Sequence, residues 1–111
     1  LYIDRAQIEQ VLINLIKNAK ESCGQNTAPQ IEVELEQVPG KVCSLTVRDN
    51  GEGILPEVID KVFVPFFTTK PSGSGIGLSL CKQIMNLHGG TITVSSEIGK
   101  GSCFTLMFPG R

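Results

Sequence analysis

The most constraining stretch of this 111-residue chain is Ile31-Glu32-Val33-Glu34-Leu35-Glu36, where apolar and acidic residues alternate without a break. Successive side chains on a strand point to opposite faces, so this run predicts a half-buried strand with its glutamates in water. The same period returns at Cys43, Leu45 and Val47 after a Pro39-Gly40 turn, which predicts an antiparallel hairpin. It returns again over residues 91–96 and 102–108, joined by Gly99-Lys100-Gly101. Between these runs the period changes. Asp4 with Gln7 three residues on has capping-box character, and apolar residues then recur at Ile8, Val11, Leu12, Leu15, Ala19 and Cys23. That spacing predicts a helix with Gln7, Gln10, Asn14, Lys17, Asn18 and Glu21 largely outside its apolar stripe. Residues 24–29 form a polar loop. Residues 55–62 predict a short helix with Pro56 in its first turn, and residues 64–74 a mobile loop. A second long helix is expected over about 76–87, stopped by Gly89-Gly90. Hairpins with long helices over one face make a two-layer α/β sandwich.

Length and composition bound the rest. The chain suits one domain, long enough to bury a core without metals or disulfides. A net charge of −1 gives no electrostatic case for nucleic acid. No apolar run approaches the ~20 residues that span a bilayer, and no signal peptide is evident. The four cysteines (Cys23, Cys43, Cys81, Cys103) form no C-x-x-C pair, and the single histidine, His88, has no second ligand nearby in sequence. They read as reduced thiols of a cytoplasmic protein, packed mostly as small apolar groups. The start at Leu1-Tyr2-Ile3, strand-like and without a methionine, reads as that of an excised domain.

Four features carry chemistry. Asn14 and Asn18, four residues apart, share one helical face, and an amide oxygen is a hard ligand suited to magnesium. Taken alone, they read first as two ordinary surface asparagines. Asp49-Asn50-Gly51-Glu52-Gly53 closes an apolar strand, and its carboxylate can accept a hydrogen bond from an exocyclic amine such as that of adenine. Its glycines let the backbone turn tightly against a planar ring. The oxygen series of a calcium-binding EF-hand loop is missing there. Gly73-Ser74-Gly75-Ile76-Gly77-Leu78 opens the second long helix, where small residues and a helix N-terminus favour phosphate. It is neither a dinucleotide-binding fingerprint nor a Walker loop. Lys70, in Phe66-Phe67-Thr68-Thr69-Lys70-Pro71, can bring a point charge to phosphate.

In order and spacing these features resemble the catalytic ATP-binding domain of sensor histidine kinases, within the wider group that includes gyrase, MutL and a heat-shock chaperone family. Asn14-Leu15-Ile16-Lys17-Asn18-Ala19 is similar to the asparagine box, residues 49–53 to the first glycine box and residues 63–67 to the phenylalanine box. Residues 73–78 resemble the second glycine box, and Gly99-Lys100-Gly101-Ser102-Cys103-Phe104 the final glycine motif. The match covers nearly the whole chain. It implies the Bergerat ATP-binding fold, an α/β (α+β) two-layer sandwich with a mixed, mainly antiparallel sheet covered on one face by helices. It implies Asn18 on Mg2+ with Asn14 beside it, and Asp49 on the adenine amine with Gly51, Gly53 and Ile54 near the ring. Gly73, Ser74, Gly75, Ile76, Gly77 and Leu78 would hold the triphosphate with help from Lys70, and Thr105 joins the ATP contacts. Phe66 and Phe67 would steer the lid or dock a histidine-bearing helix.

The implied reaction is transfer of the γ-phosphoryl group of Mg-ATP to a histidine on an upstream dimerisation domain that this chain lacks. A response-regulator aspartate would take the group next. The ATP-hydrolysing relatives carry a glutamate where this chain has Asn14, which cannot act as a general base, so slow hydrolysis by the domain alone is expected. Glu21 stands where many relatives carry a lysine, leaving Lys17, Lys20 or Lys70 to supply positive charge. The lid is short, like that of the nitrogen-regulation type. His88, at a helix C-terminus, is read as favoured there by the dipole and not as the phosphoacceptor. Two other readings stay open: a degenerate ATP-binding sensor, and a serine kinase of the anti-sigma-factor type. The fragment is expected to be monomeric and cytoplasmic, in a parent that is soluble or a membrane-bound sensor.

Overall fold

The computed structural model describes residues 4–24, 27–37, 43–67 and 77–109. Helix α1 spans Arg5–Ser22, and the Asp4 side chain caps it by accepting from the Gln7 N–H at 3.1 Å. Its buried residues are Ile8, Val11, Leu15 and Ala19, the apolar stripe read from spacing. Strands β1 (Ile31–Gln37) and β2 (Cys43–Asp49) follow, then a single-turn helix α2 (Pro56–Ile59), shorter than the expected 55–62. Helix α3 spans Gly77–Leu87, and strands β3 (Thr91–Glu97) and β4 (Gly101–Phe108) complete the sheet. The stub 1–3, the turn at Pro39-Gly40 and most of the loop 64–74 lie outside the described residues.

The sheet order is β1-β2-β4-β3, and each of the three described ladders is antiparallel, in line with the mixed, mainly antiparallel sheet expected. The register aligns rows of side chains across the sheet. Leu45, Leu106 and Ile92 form one row, and Val47, Phe104 and Val94 the next. These rows face α1 and α3 and make the core, in which Phe104, Leu15, Met85, Leu106, Val11, Val47 and Cys81 are fully buried. The two helices touch through the Cys81 thiol, which lies 3.8 Å from the Val11 carbonyl. Burial among apolar neighbours pushes that thiol up from 9.0 to about 11.

One expectation fails at the edge. Strand β1 is not half-buried: Val33 and Leu35 are 53% and 65% exposed, and only Ile31 is partly covered. On α1, Ile13 and Ile16 are exposed as well.

Candidate nucleotide-binding site

The turn after β2 is held from two sides. Asp49 is only 5% exposed, and its Oδ1 accepts from the Gly51 N–H at 2.9 Å, which folds the turn back on itself. A Cβ on Gly51 would lie 2.6 Å from the Ser22 carbonyl oxygen, at the end of α1, and the Glu52 N–H donates to that carbonyl at 3.2 Å. Gly53 adopts φ +83, and a Cβ there would lie 2.5 Å from the Glu97 carbonyl oxygen. The Gly99 N–H donates to the Glu52 carbonyl at 2.9 Å. Both glycines are thus required by protein backbone on either side, before any ring is considered. Asn50 secures the incoming loop: its Oδ1 accepts from the Gln30 N–H at 2.7 Å and its Nδ2 donates to the Ala28 carbonyl at 2.9 Å.

From this turn the site runs along α1. Asn14, Asn18 and Ser22 are four residues apart, so they descend one flank over roughly 12 Å. Both asparagines are half-buried. Asn14 Oδ1 accepts from Gln10 Nε2 at 3.2 Å, and its Nδ2 donates to the Gly77 carbonyl at 3.4 Å. Asn14 is thereby brought beside the N-terminus of α3, where backbone N–H groups favour anions. Among the described residues no three His, Cys, Asp or Glu side chains cluster as a metal site. The Asn18 amide suits Mg2+, which takes one or two protein oxygens and completes its shell with phosphate and water.

Sequence reading missed two members. Ser102 is 4% exposed and pairs with Asp49 on one side and Ser96 on the other, so the three side chains form a polar row at the end of the apolar face. The signal was available: counting by two from Leu106 and Phe104 leads to Ser102. Thr105, expected in the site, is corrected by the same count. Its side chain lies on the opposite face of the sheet, with its Oγ1 at 3.5 Å from Thr46 Oγ1. Ile54 and Leu78 pack partly buried against the core, the first just after the turn at 49–53 and the second at the start of α3. Lys70, Gly73, Ser74, Gly75 and Ile76 lie outside the described residues.

The phenylalanine segment divides. Phe63 meets Phe104 edge-to-face, with centroids 6.3 Å apart and planes at 83°, and Lys82 Nζ lies 5.5 Å from the Phe63 ring centroid. Phe66 is 77% exposed and adopts φ +67, an uncommon conformation for a residue with a side chain. His88 has a structural partner at each nitrogen. Its Nε2 accepts from the Asp4 N–H at 2.9 Å, so the ring hydrogen sits on Nδ1 and donates to the Ile84 carbonyl at 2.8 Å. It fastens the end of α3 to the cap of α1. All four cysteines are free thiols. No helix among the described residues is long and apolar enough to cross a membrane.

The chain is similar to known proteins over nearly its whole length. The chain is 41% identical over 106 residues to the sensor histidine kinase ZraS of Escherichia coli, covering 96% of this chain and 22% of that protein. It therefore spans about a fifth of the length of that relative. The nucleotide-free catalytic domain of histidine kinase ThkA superposes with a TM-score of 0.84 at 38% identity, over 97% of this chain and 69% of that one. Full-length ShkA in complex with AMPPNP superposes with a TM-score of 0.84 at 26% identity, over 96% of this chain and 22% of that one. The family described as histidine kinase-, DNA gyrase B- and HSP90-like ATPase matches residues 3–111, so the chain belongs to that family, as an ATP-binding domain of the sensor histidine kinase kind.

Proposed function

We propose that the domain binds Mg-ATP between α1, the turn at 49–53 and the N-terminus of α3, and donates the γ-phosphoryl group to a histidine. That histidine would lie on a separate dimerisation domain of the same parent protein, with a response-regulator aspartate taking the group next. Asp49 accepts from the adenine amine. Ile54 lines the ring, and the turn bracketed by Ser22 and Glu97 holds both in place. Asn18 would hold Mg2+, which when bound neutralises charge on the phosphate oxygens. Asn14 and the start of α3, with Gly77 and Leu78, position the phosphates, helped by the preceding glycine segment and Lys70. The cytoplasm, where ATP and a response regulator are both present, is the compartment this reading requires.

The observation that carries the reading is Asn14. It stands beside Gly77 at the phosphate end, tied to the Gly77 carbonyl, and an amide cannot take a proton from water. The site therefore holds ATP for an outside nucleophile, and catalysis is positioning and charge stabilisation around an in-line transfer. The exposed Phe66 offers an apolar contact for the histidine-bearing helix.

The test is a titration with ATP, with and without magnesium, followed by incubation with a histidine-bearing dimerisation domain. Saturable magnesium-dependent binding and an acid-labile phosphoprotein are expected. Binding without transfer would identify a nucleotide sensor, an acid-stable product a serine kinase, and rapid hydrolysis by the isolated domain would overturn the role given to Asn14.

A further inference from the structure

The polar row beside the turn at 49–53 contains a hydroxyl with three hydrogen-bond partners. Ser96 Oγ accepts from the Ile54 N–H at 2.7 Å and donates to the Gly101 carbonyl at 2.9 Å. It also lies 3.1 Å from Ser102 Oγ. A serine hydroxyl has one hydrogen, and a carbonyl can only accept. We assign the hydrogen of Ser96 to Gly101, the shorter contact and one to a carbonyl that can only accept, so that Ser102 donates in the contact between the two hydroxyls. Ser102, buried and in register with Asp49, is left with lone pairs alone to present toward the carboxylate side of the row.

We infer that Ser96 is a positioning residue that sets base specificity: by claiming the Ser102 proton it makes the row an all-acceptor surface, which selects a 6-amino purine over a 6-oxo purine. The inference rests on the adenine end of the site lying at Asp49. A 6-amino group has two hydrogens to offer Asp49 and Ser102. A 6-oxo group brings a lone pair against both, and an acceptor facing buried acceptors forfeits their solvation. A Ser102 hydroxyl free to turn would instead donate to the oxo group and soften the discrimination. Ser96 touches no ligand in this scheme; it acts through Ser102. Its second bond also fixes Ile54, so its loss weakens all nucleotides somewhat, and only the ratio between them reports on polarity.

The experiment is calorimetric titration of the chain with ATP and with inosine triphosphate, both in Mg2+. In Ser96→Ala the preference for ATP is expected to fall about tenfold, one hydrogen bond's worth of discrimination, and in Ser96→Thr to be kept. In a Ser102→Ala background, Ser96→Ala should lower the preference no further. Equal weakening of both nucleotides by Ser96→Ala, or a further fall in the Ser102→Ala background, would overturn the inference. If Ser96→Ala does not fold, Ser102→Ala alone decides: a lowered preference supports the inference and an unchanged one sinks it. A wild-type chain that binds neither nucleotide would overturn the adenine site itself, an outcome distinct from ATP binding with an unaltered ratio.

Discussion

Strands β1 and β4 carry the same period-two signature, yet β1 lies almost wholly in solvent while Gly101, Ser102, Phe104, Leu106 and Phe108 of β4 are buried. The alternation is cleaner in β1. What differs is the neighbourhood: β4 pairs on both edges and lies under α1 and α3, whereas β1 pairs only with β2 among the described strands. A two-faced pattern reports that a strand has an apolar side. It does not report what covers that side, which depends on where a helix remote in sequence comes to rest. The consequence for the proposed site is that its base end falls where the strands are covered. Asp49 and Ser102 lie at one end of the two central strands, and among the described residues they are the polar side chains that are buried.

Substitutions at the centre and the edge should separate widely. Phe104→Ala removes a fully buried ring from β4 and should cost about 3–5 kcal/mol in urea unfolding; a loss no larger than at the edge would erase the contrast. Gly51→Ala forces the turn away from the Ser22 carbonyl and should lower stability by roughly 1–3 kcal/mol and ATP affinity with it, measured by thermal shift and titration. Asp49→Asn keeps the shape but replaces a charged acceptor; ATP binding should weaken by about 1.5–3 kcal/mol with a smaller change in stability. Leu35→Ser on the edge strand should stay within about 0.5 kcal/mol of the parent, and a larger loss would mean that the edge is covered in solution.

The thiol of Cys81 gives a finer, pH-dependent test. Its pKa is raised from 9.0 to about 11 in the fold, first because burial penalises the thiolate. Below pH 9 both states hold the proton and the contribution is constant. Between 9 and about 11 the unfolded chain releases the proton first, so stability falls as pH rises through that window. Cys81→Ala should remove that part of the alkaline slope. An unchanged slope would place the thiol in contact with water.

The candidate site was readable in part, where its residues follow local patterns. The four-residue spacing of Asn14 and Asn18, and a carboxylate closing an apolar strand, are readable without any tertiary knowledge. Thr105 was not, because strand register is unforgiving: a shift of one residue sends a side chain to the other face, and Thr105 and Ser102 stand on opposite faces. Ser96 escaped because its importance lies in three partners remote in the chain or across a turn. The glycines at 51 and 53 were found for an incomplete reason. Spacing suggested close approach to a ring, whereas the contacts that already forbid a side chain are the backbones of Ser22 and Glu97.

The strand order β1-β2-β4-β3 also governs how such a chain comes off a ribosome. The strand that fills the middle of the sheet is the last of the described strands to be synthesised. Until residue 108 has emerged, β2 and β3 each wait with an unpaired edge and an apolar face, the condition under which strands join the wrong partner. The bond from the Asp4 N–H to His88 spans 84 residues, so it too forms only after most of the chain exists. Destabilised variants of this domain should therefore fail first during synthesis, with yield in the cell falling before activity of the purified protein does.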